Sequence, residues 1–369
     1  MTIAVDEKRI REWLHRVVDT YSPTFAEGPA LELFEEMLDE ARVPYFRQYL
    51  PDDEDRYNII VKAGPDPVEL MWVGHVDTVA LYDEDQREVT IEGDILTGLG
   101  SADMKGACVA AIEALRLLRE QPEPLERGIC VALVVGEEEY GDGSERLIEE
   151  FTAPLIVIGE PTSLSPCTSH YGYFEVVLRA YGERAHSAVP EVGHNAIHGL
   201  FSWMMEFLQE VGREEWAAGC SITPRHIDGG SPLFAVPERC EATFDIHLAP
   251  GLDFENDAVA PLERALATAA KEHARCRFEW ELLFASPGFA DGEPPALRAA
   301  FEAVDVPFEA AAFRSHSDAA MFHAAGMKTV VCGPGALEAA HRPDESISIS
   351  EVVTATRLYY ELFRLSSRS

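Results

Sequence analysis

Residues 69–79 read ELMWVGHVDTV, a short apolar run that ends in a glycine and then delivers His75 and Asp77 two positions apart. The run is too brief for an ordinary helix and is bounded by polar residues, so it reads as a buried strand with its last side chains at the edge of a sheet. Four further polar clusters stand in the same relation to apolar runs: Asp103 in GLGSADMKG, Glu137 to Glu139 after ICVALVV, Glu160 after PLIVIG and His341 after TVVCGPG. Ligands of open α/β sheets bind in the crevice beyond the carboxyl ends of the strands, so clusters scattered along the chain can converge there. Two histidines and several carboxylates in one crevice read as a metal site.

Strand-like runs at 57–62, 69–74, 129–135 and 154–158 are interleaved with segments of helical period. Residues 8–19 put Ile10, Trp13, Leu14, Val17 and Val18 on one face, residues 29–42 do the same with Leu31, Phe34, Met37, Leu38 and Ala41, and a third helix is expected over 104–119. This alternation predicts an α/β fold, a mostly parallel sheet flanked by helices on both faces. From about 167 the order becomes strand 173–181, helix 194–211, strands 219–227 and 239–248, helix 255–272 and strand 276–284. That βαββαβ order is a ferredoxin-like sandwich inserted whole. After SPGFADGEPP the first domain resumes, with helices near 295–303 and 317–325, a strand at 328–332 and a closing helix over 350–364. The expected domains are therefore 1–166 with 286–369, which hold the metal residues, and an insertion over 167–285. A chain of 369 residues exceeds the size at which single cores stop growing, in keeping with two domains.

With 47% apolar and 26% charged residues, the chain can bury sizeable cores. A formal charge of -35 argues against nucleic acid or an anionic membrane as partner, because both require positive potential. Lysine occurs only at positions 8, 62, 105, 271 and 328. No stretch approaches the roughly 20 apolar residues of a membrane span, and MTIAVDEKRIREW lacks the pattern of a secretory signal, so a soluble, cytoplasmic protein is expected. Seven dispersed cysteines without C-x-x-C spacing read as buried, reduced thiols.

His75 and Asp77 leave the same face of an extended chain, which places Asp77 to orient a ligating imidazole through its other ring nitrogen. Glycines around Asp103 let the backbone turn tightly and bring its carboxylate to a cation; alternatively Ser101 or Asp103 caps the helix that follows. Glu137, Glu138 and Glu139 follow an apolar run with no Lys or Arg before Arg146. Like charges crowded at a strand end are relieved by a cation, and adjacent side chains splay apart, so that one acid can ligate while its neighbour serves as general base. The same acids also suit a solvated helix start. Glu160 is held at a strand end by Pro161, and His341 occupies a loop after the last strand. Such a donor set suits a pair of Zn²⁺ ions.

With GHVDTV, GLGSADMKG, EEEYG, GEP, GERAHSAVPEVGHNAI and GPG…AHRPDE in order, the chain from about residue 10 onward resembles the metal-dependent amidohydrolases that include acetylornithine deacetylase, succinyl-diaminopimelate desuccinylase, aminoacylase and carboxypeptidase G. The resemblance implies a zinc-peptidase-like catalytic domain, an inserted lid or dimerisation domain, and two divalent ions, Zn²⁺ above Co²⁺ or Mn²⁺. It implies that His75 and Glu160 hold one ion, Glu139 and His341 the other, and that Asp103 bridges them. Glu138 then matches the general base, with Asp77 supporting the site; in a register one residue earlier, Glu137 takes the base's place, and Gly141 favours the first alignment. A cis peptide after the bridging aspartate is a further family trait. His186 corresponds to a histidine that, in family homodimers, reaches the partner's active site, and Asn195 belongs to the same motif.

The chain departs from the family pattern where substrate is recognised. Ala235 stands in FAVPE for the usual Asn, His247 in FDIHLAP for the usual Arg, and Arg314-Ser315-His316 for a glycine-rich segment. Arg314 and His316 are thereby candidate contacts for a substrate carboxylate, as is His247, and Asn195 is a further candidate for substrate contact. The resulting expectation is hydrolysis of the amide of an N-acyl amino acid. A dipeptidase or carboxypeptidase of the same family, or a non-catalytic binder of amino-acid derivatives, is the alternative.

Overall fold

Continuous runs of aliphatic and β-branched residues make the central strands Val68–His75, Gly128–Val134, Leu155–Pro161 and Lys328–Gly333, which are buried over most of their length. Val68–His75 pairs in parallel with Gly128–Val134 on one side and Leu155–Pro161 on the other, and Leu155–Pro161 pairs in parallel with Lys328–Gly333. Such strands lack the polar alternation of a half-exposed sheet because helices cover both faces. Asp53–Ala63 lies antiparallel beside Gly128–Val134, and Phe46–Leu50 is antiparallel to it at the edge.

The computed structural model describes residues 3–51, 53–82, 88–121, 123–271 and 275–368. They fall into two compact units, one of Met1–Thr168, Asp291–Phe313 and Ser317–Ser369, the other of Ser169–Ala290 and Arg314–His316. In the first, the sheet is packed against helices Glu7–Asp19, Gly28–Glu40, Gly106–Arg119, Pro295–Val304 and Ile349–Ser366. Trp72 of the central strand meets Tyr359 of the last helix edge-on, with ring centroids 5.5 Å apart. That helix starts at Ser348, whose side chain accepts the Glu351 N–H at 3.2 Å. An N-cap serine satisfies an amide that is otherwise left without an intrahelical partner, so Ser348→Ala is expected to lower unfolding free energy by about 1 kcal/mol in urea titration.

In the second unit the strand order is Ser221–Gly229, Arg239–Leu248, Gly172–Tyr181 and Arg277–Ser286, with every pair antiparallel. Helices Ala196–Val211 and Ala260–Lys271 complete the ferredoxin-like order and share a core with Phe174, Trp203, Phe207 and Phe244. The wide turn Phe254–Val259 precedes the second helix, and residue 272, the last of the helix expected there, lies outside the described residues.

Several elements differ from the sequence reading. The helix expected over 104–119 begins at Gly106, after an irregular segment Ser101–Lys105 in which Asp103 and Met104 have non-helical dihedrals. No side-chain hydrogen bond caps it, so neither Ser101 nor Asp103 is spent on that role. The helix expected over 317–325 contracts to Ala319–Ala324. The short strands Thr90–Glu92, Ile95–Thr97 and Ser346–Ser348 form a separate antiparallel sheet.

Candidate metal centre

The site is built in the first unit from the ends of its parallel strands. His75 is the last residue of Val68–His75, and Glu160 is the penultimate residue of Leu155–Pro161. Glu137 and Glu138 sit in a turn after Gly128–Val134 that opens at Gly136, with φ 79. A Cβ on Gly136 would stand 2.0 Å from Asp142 Oδ1, so this turn requires glycine for both conformation and space. The Tyr140 and Gly141 N–H groups both donate to the Gly136 carbonyl, at 3.0 and 2.7 Å, closing the turn.

Asp103 occupies the middle. Its Oδ1 lies 3.1 Å from His75 Nε2 and its Oδ2 lies 3.5 Å from His341 Nε2. One carboxylate thus presents an oxygen to each histidine, as a bridging ligand does. His75 Nε2 also lies 3.6 Å from Glu160 Oε1 and 4.0 Å from Glu137 Oε2. On the other side, His341 Nε2 is 3.2 Å from Glu138 Oε2. His341 reaches inward from a loop in the left-handed region, φ 57. The peptide after Asp103 is cis.

The placement of the three consecutive acids departs from the chosen alignment. Glu138, and not Glu139, faces His341 and Asp103, while Glu139 is exposed. The reason is the tight turn from Gly136, which directs the first two acids inward and turns the third to solvent. Asp77 holds this arrangement: its carboxylate accepts the Glu137 and Glu138 N–H groups at 3.3 and 3.1 Å and the Thr24 hydroxyl at 2.8 Å. His75 Nδ1 lies closer to the Asp77 carbonyl, at 3.0 Å, than to its carboxylate, at 3.6 Å, so the orienting partner of this imidazole is backbone.

Two ligand groups emerge, His75 with Asp103 and Glu138, and His75 with Glu137 and Glu160, each with donor atoms within 4.8 Å of one another. These residues fit a divalent cation. Glu160 Oε1 is buried without a hydrogen-bond partner. The nitrogen and oxygen donors suit zinc or a neighbouring first-row ion. Burial and the crowding of like charges set the proton affinities of these groups. Burial pushes the Glu137 and Glu160 carboxyls well up, with the neighbouring acids adding to the effect. Burial also opposes charge on His75, yet Asp103, Glu160, Glu137 and Asp77 together raise it well above its ordinary value. His341 is raised to about 9, chiefly by its contact with Glu138.

Residues that the sequence reading did not single out complete the site. Glu345, buried and shifted to about 7 by desolvation and then by Asp103, accepts the Gly100, Ala102 and Asp103 N–H groups at 3.0, 2.8 and 3.0 Å. It fixes the backbone from which Asp103 projects. The only hint was its place in the AHRPDE motif. Loss of an outer partner of a metal ligand costs 10–100-fold in affinity, so Glu345→Gln is expected to weaken Zn²⁺ binding within that range in calorimetric titration. Lys105 is fully buried, and its ammonium donates to the Thr20 carbonyl at 2.7 Å.

The remaining expected residues lie in the second unit. His186 is exposed, with its Nδ1 accepting the Ala188 N–H at 3.1 Å. Asn195 is the N-cap of Ala196–Val211, its side-chain oxygen accepting the Ile197 and His198 N–H groups at 2.9 and 3.3 Å. The His247 and Tyr173 rings are 5.1 Å apart, and Tyr173 also packs on His316, which contacts Phe284 edge-on. Burial lowers His316 to about 4, with His247 contributing, and its Nε2 is buried without a partner. Arg314 is exposed and lies 5.9 Å from the Tyr171 ring.

A family model described as Peptidase family M20/M25/M40 matches residues 71–365. The chain belongs to this family. An acetylornithine deacetylase of Edwardsiella ictaluri is 30% identical over 332 residues, covering 85% of each chain. A tripeptidase from Staphylococcus aureus superposes with TM-score 0.81 at 16% identity, over 99% of this chain and 100% of that one. A dinuclear metal-binding peptidase of the M20 family from Bacillus subtilis superposes with TM-score 0.69 at 12% identity, over 96% and 97% of the two chains. This M20/M25/M40 protein is a metal-dependent amidohydrolase, a hydrolase of amide bonds. Among its described residues, no helix is long and apolar enough to cross a membrane, and all seven cysteines are free.

Proposed function

We propose that the chain hydrolyses the amide bond of an N-acyl amino acid, with two divalent ions, Zn²⁺ foremost, held in the first unit. The observation that carries this reading is Asp103 presenting one oxygen to His75 and the other to His341. His75 and Glu160 would hold one ion, Glu138 and His341 the other, and Asp103 both. Bound there, the ions supply Lewis acidity towards a carbonyl and towards water. Glu137 is the general base in this reading, the alternative register of the sequence. Burial raises its carboxyl, it lies beyond hydrogen-bond distance of His75 at 4.0 Å, and its backbone is pinned by Asp77. A carboxylate so poised takes a proton from the attacking water and returns it to the departing amine.

The deacylase reading is supported by the deacetylase relative, similar over 85% of the chain. Parallel kcat/KM measurements on N-acetylornithine, N-succinyl-diaminopimelate and a dipeptide panel test it. Preference for an acylated amino acid is the expected outcome; cleavage of dipeptides alone would replace it with a peptidase. Arg314, His316 and His247 are the proposed contacts for the substrate carboxylate, with the unpartnered His316 Nε2 in their support.

A cytoplasmic homodimer in which His186 serves the partner's centre completes the proposal. Its support is the exposed stripe of Phe201 and Met205, one turn apart on Ala196–Val211, together with the edge position of Ser221–Gly229. Sedimentation equilibrium tests it, and a monomer at micromolar concentration would exclude it.

A further inference from the structure

Two large aromatic side chains of the first unit stand exposed on segments that meet the acidic turn, Phe25 at 59% and Tyr140 at 71%, with ring centroids 5.8 Å apart. Both are tied to the acidic turn. Thr24, adjacent to Phe25, donates its hydroxyl to Asp77 Oδ2 at 2.8 Å, and the same oxygen accepts the Glu138 N–H at 3.1 Å. Tyr140 donates its own N–H to the Gly136 carbonyl at 3.0 Å, within the turn that carries Glu137 and Glu138. Three residues of chain reach at most roughly 11 Å, so the Tyr140 backbone cannot lie farther than that from Glu137.

The same two segments are joined a second time. Arg56, itself buried, donates to Glu27 Oε1 at 2.8 Å and to Asp142 Oδ1 at 3.1 Å. Glu27 lies two residues beyond Phe25 and Asp142 two beyond Tyr140. The guanidinium stands 4.7 Å from the Phe25 ring centroid. Phe25 holds φ 70, in the left-handed region that is unfavourable for a residue with a side chain. A strained backbone, an ion triad around the buried Arg56 and a clasp by Asp77 thus fix two rings that contribute little to the core. Exposed apolar groups held rigidly at the rim of a polar centre mark a binding surface.

We propose that Phe25 and Tyr140 form an aromatic wall that receives an apolar, aromatic-sized group flanking the scissile amide, making them specificity-determining residues. The inference rests on the amide-hydrolase reading above and narrows its substrate class. The chemistry is shared by an aromatic acyl group and an aromatic amino-acid side chain, and the test separates them. With the zinc-loaded full chain, kcat/KM is measured for N-phenylacetylglycine, N-acetylphenylalanine and N-acetylglycine. Expected is a wild-type preference of about tenfold or more for one of the two aromatic substrates over N-acetylglycine, in the range that differential burial of an apolar group gives. That ratio should collapse in Tyr140→Ala and Phe25→Ala and persist in Tyr140→Phe. Wild-type ratios near one, or a ratio unchanged in both alanine variants, would overturn the wall. If the wild type cleaves none of the three, the deacylase reading fails instead. The wall is then judged by titrating phenylacetate against acetate and phenylalanine against glycine. Tighter binding of an aromatic ligand, lost in Tyr140→Ala, supports it, and equal affinities within both pairs overturn it.

Discussion

Replacing Glu137 by Gln is expected to lower kcat about 10²–10⁴-fold, the range for loss of a positioned general base, while the protein retains its bound metal. The amide preserves the shape of the side chain and its buried volume but cannot accept a proton from water. The same change at Glu139, which is exposed, is expected to leave kcat within about twofold. Glu138→Gln should behave differently from both, because Glu138 Oε2 lies 3.2 Å from His341 Nε2 and a weaker donor there reduces metal occupancy. Steady-state kinetics with metal content measured on each preparation separate the three. Loss of turnover with metal retained in Glu138→Gln, together with loss of metal in Glu139→Gln, would return the assignment to the other register.

Asp103→Asn carries the second large effect. A single carboxylate sits between two histidines, 3.1 Å from one and 3.5 Å from the other, and its charge is held by both. His75 and His341 lower its proton affinity against the opposing effect of burial. Asparagine keeps one oxygen and loses the charge that offsets two cations, so both ions are expected to bind more than 100-fold more weakly, beyond what loss of an outer partner produces. Chelator competition measures this directly. Retention of both ions at wild-type affinity would remove Asp103 from the bridge. The variant should fold, because the Ala102 and Asp103 amides remain bound to Glu345.

The central strands were legible because burial on both faces demands uninterrupted apolar residues, as in Gly128–Val134 and Leu155–Pro161. Phe46–Leu50 was not, since its FRQYL carries Arg47 and Gln48 into partnerships with Glu35 and Glu150 at a sheet edge. Thr90–Glu92 and Ile95–Thr97 are too short and exposed to show a period. At the site, His75, Asp103, Glu160 and His341 could be named from their places after apolar runs and from the family resemblance. The choice among Glu137, Glu138 and Glu139 could not, because three identical side chains carry no signal of their own. The turn closed on Gly136 decides which of them face inward. Glu345, Lys105 and Arg56 are buried charges that act through contacts distant in sequence, to Asp103, Thr20 and Glu27, and nothing local distinguishes them from surface residues.

The most direct test of the whole account is a count of the divalent ions that the 369-residue chain binds. Chelator-stripped protein is titrated with Zn²⁺, and occupancy per chain is read by native mass spectrometry. Two ions per chain at saturation, falling in Asp103→Asn, is the expected result; a wild-type chain that saturates at one ion or none would contradict it.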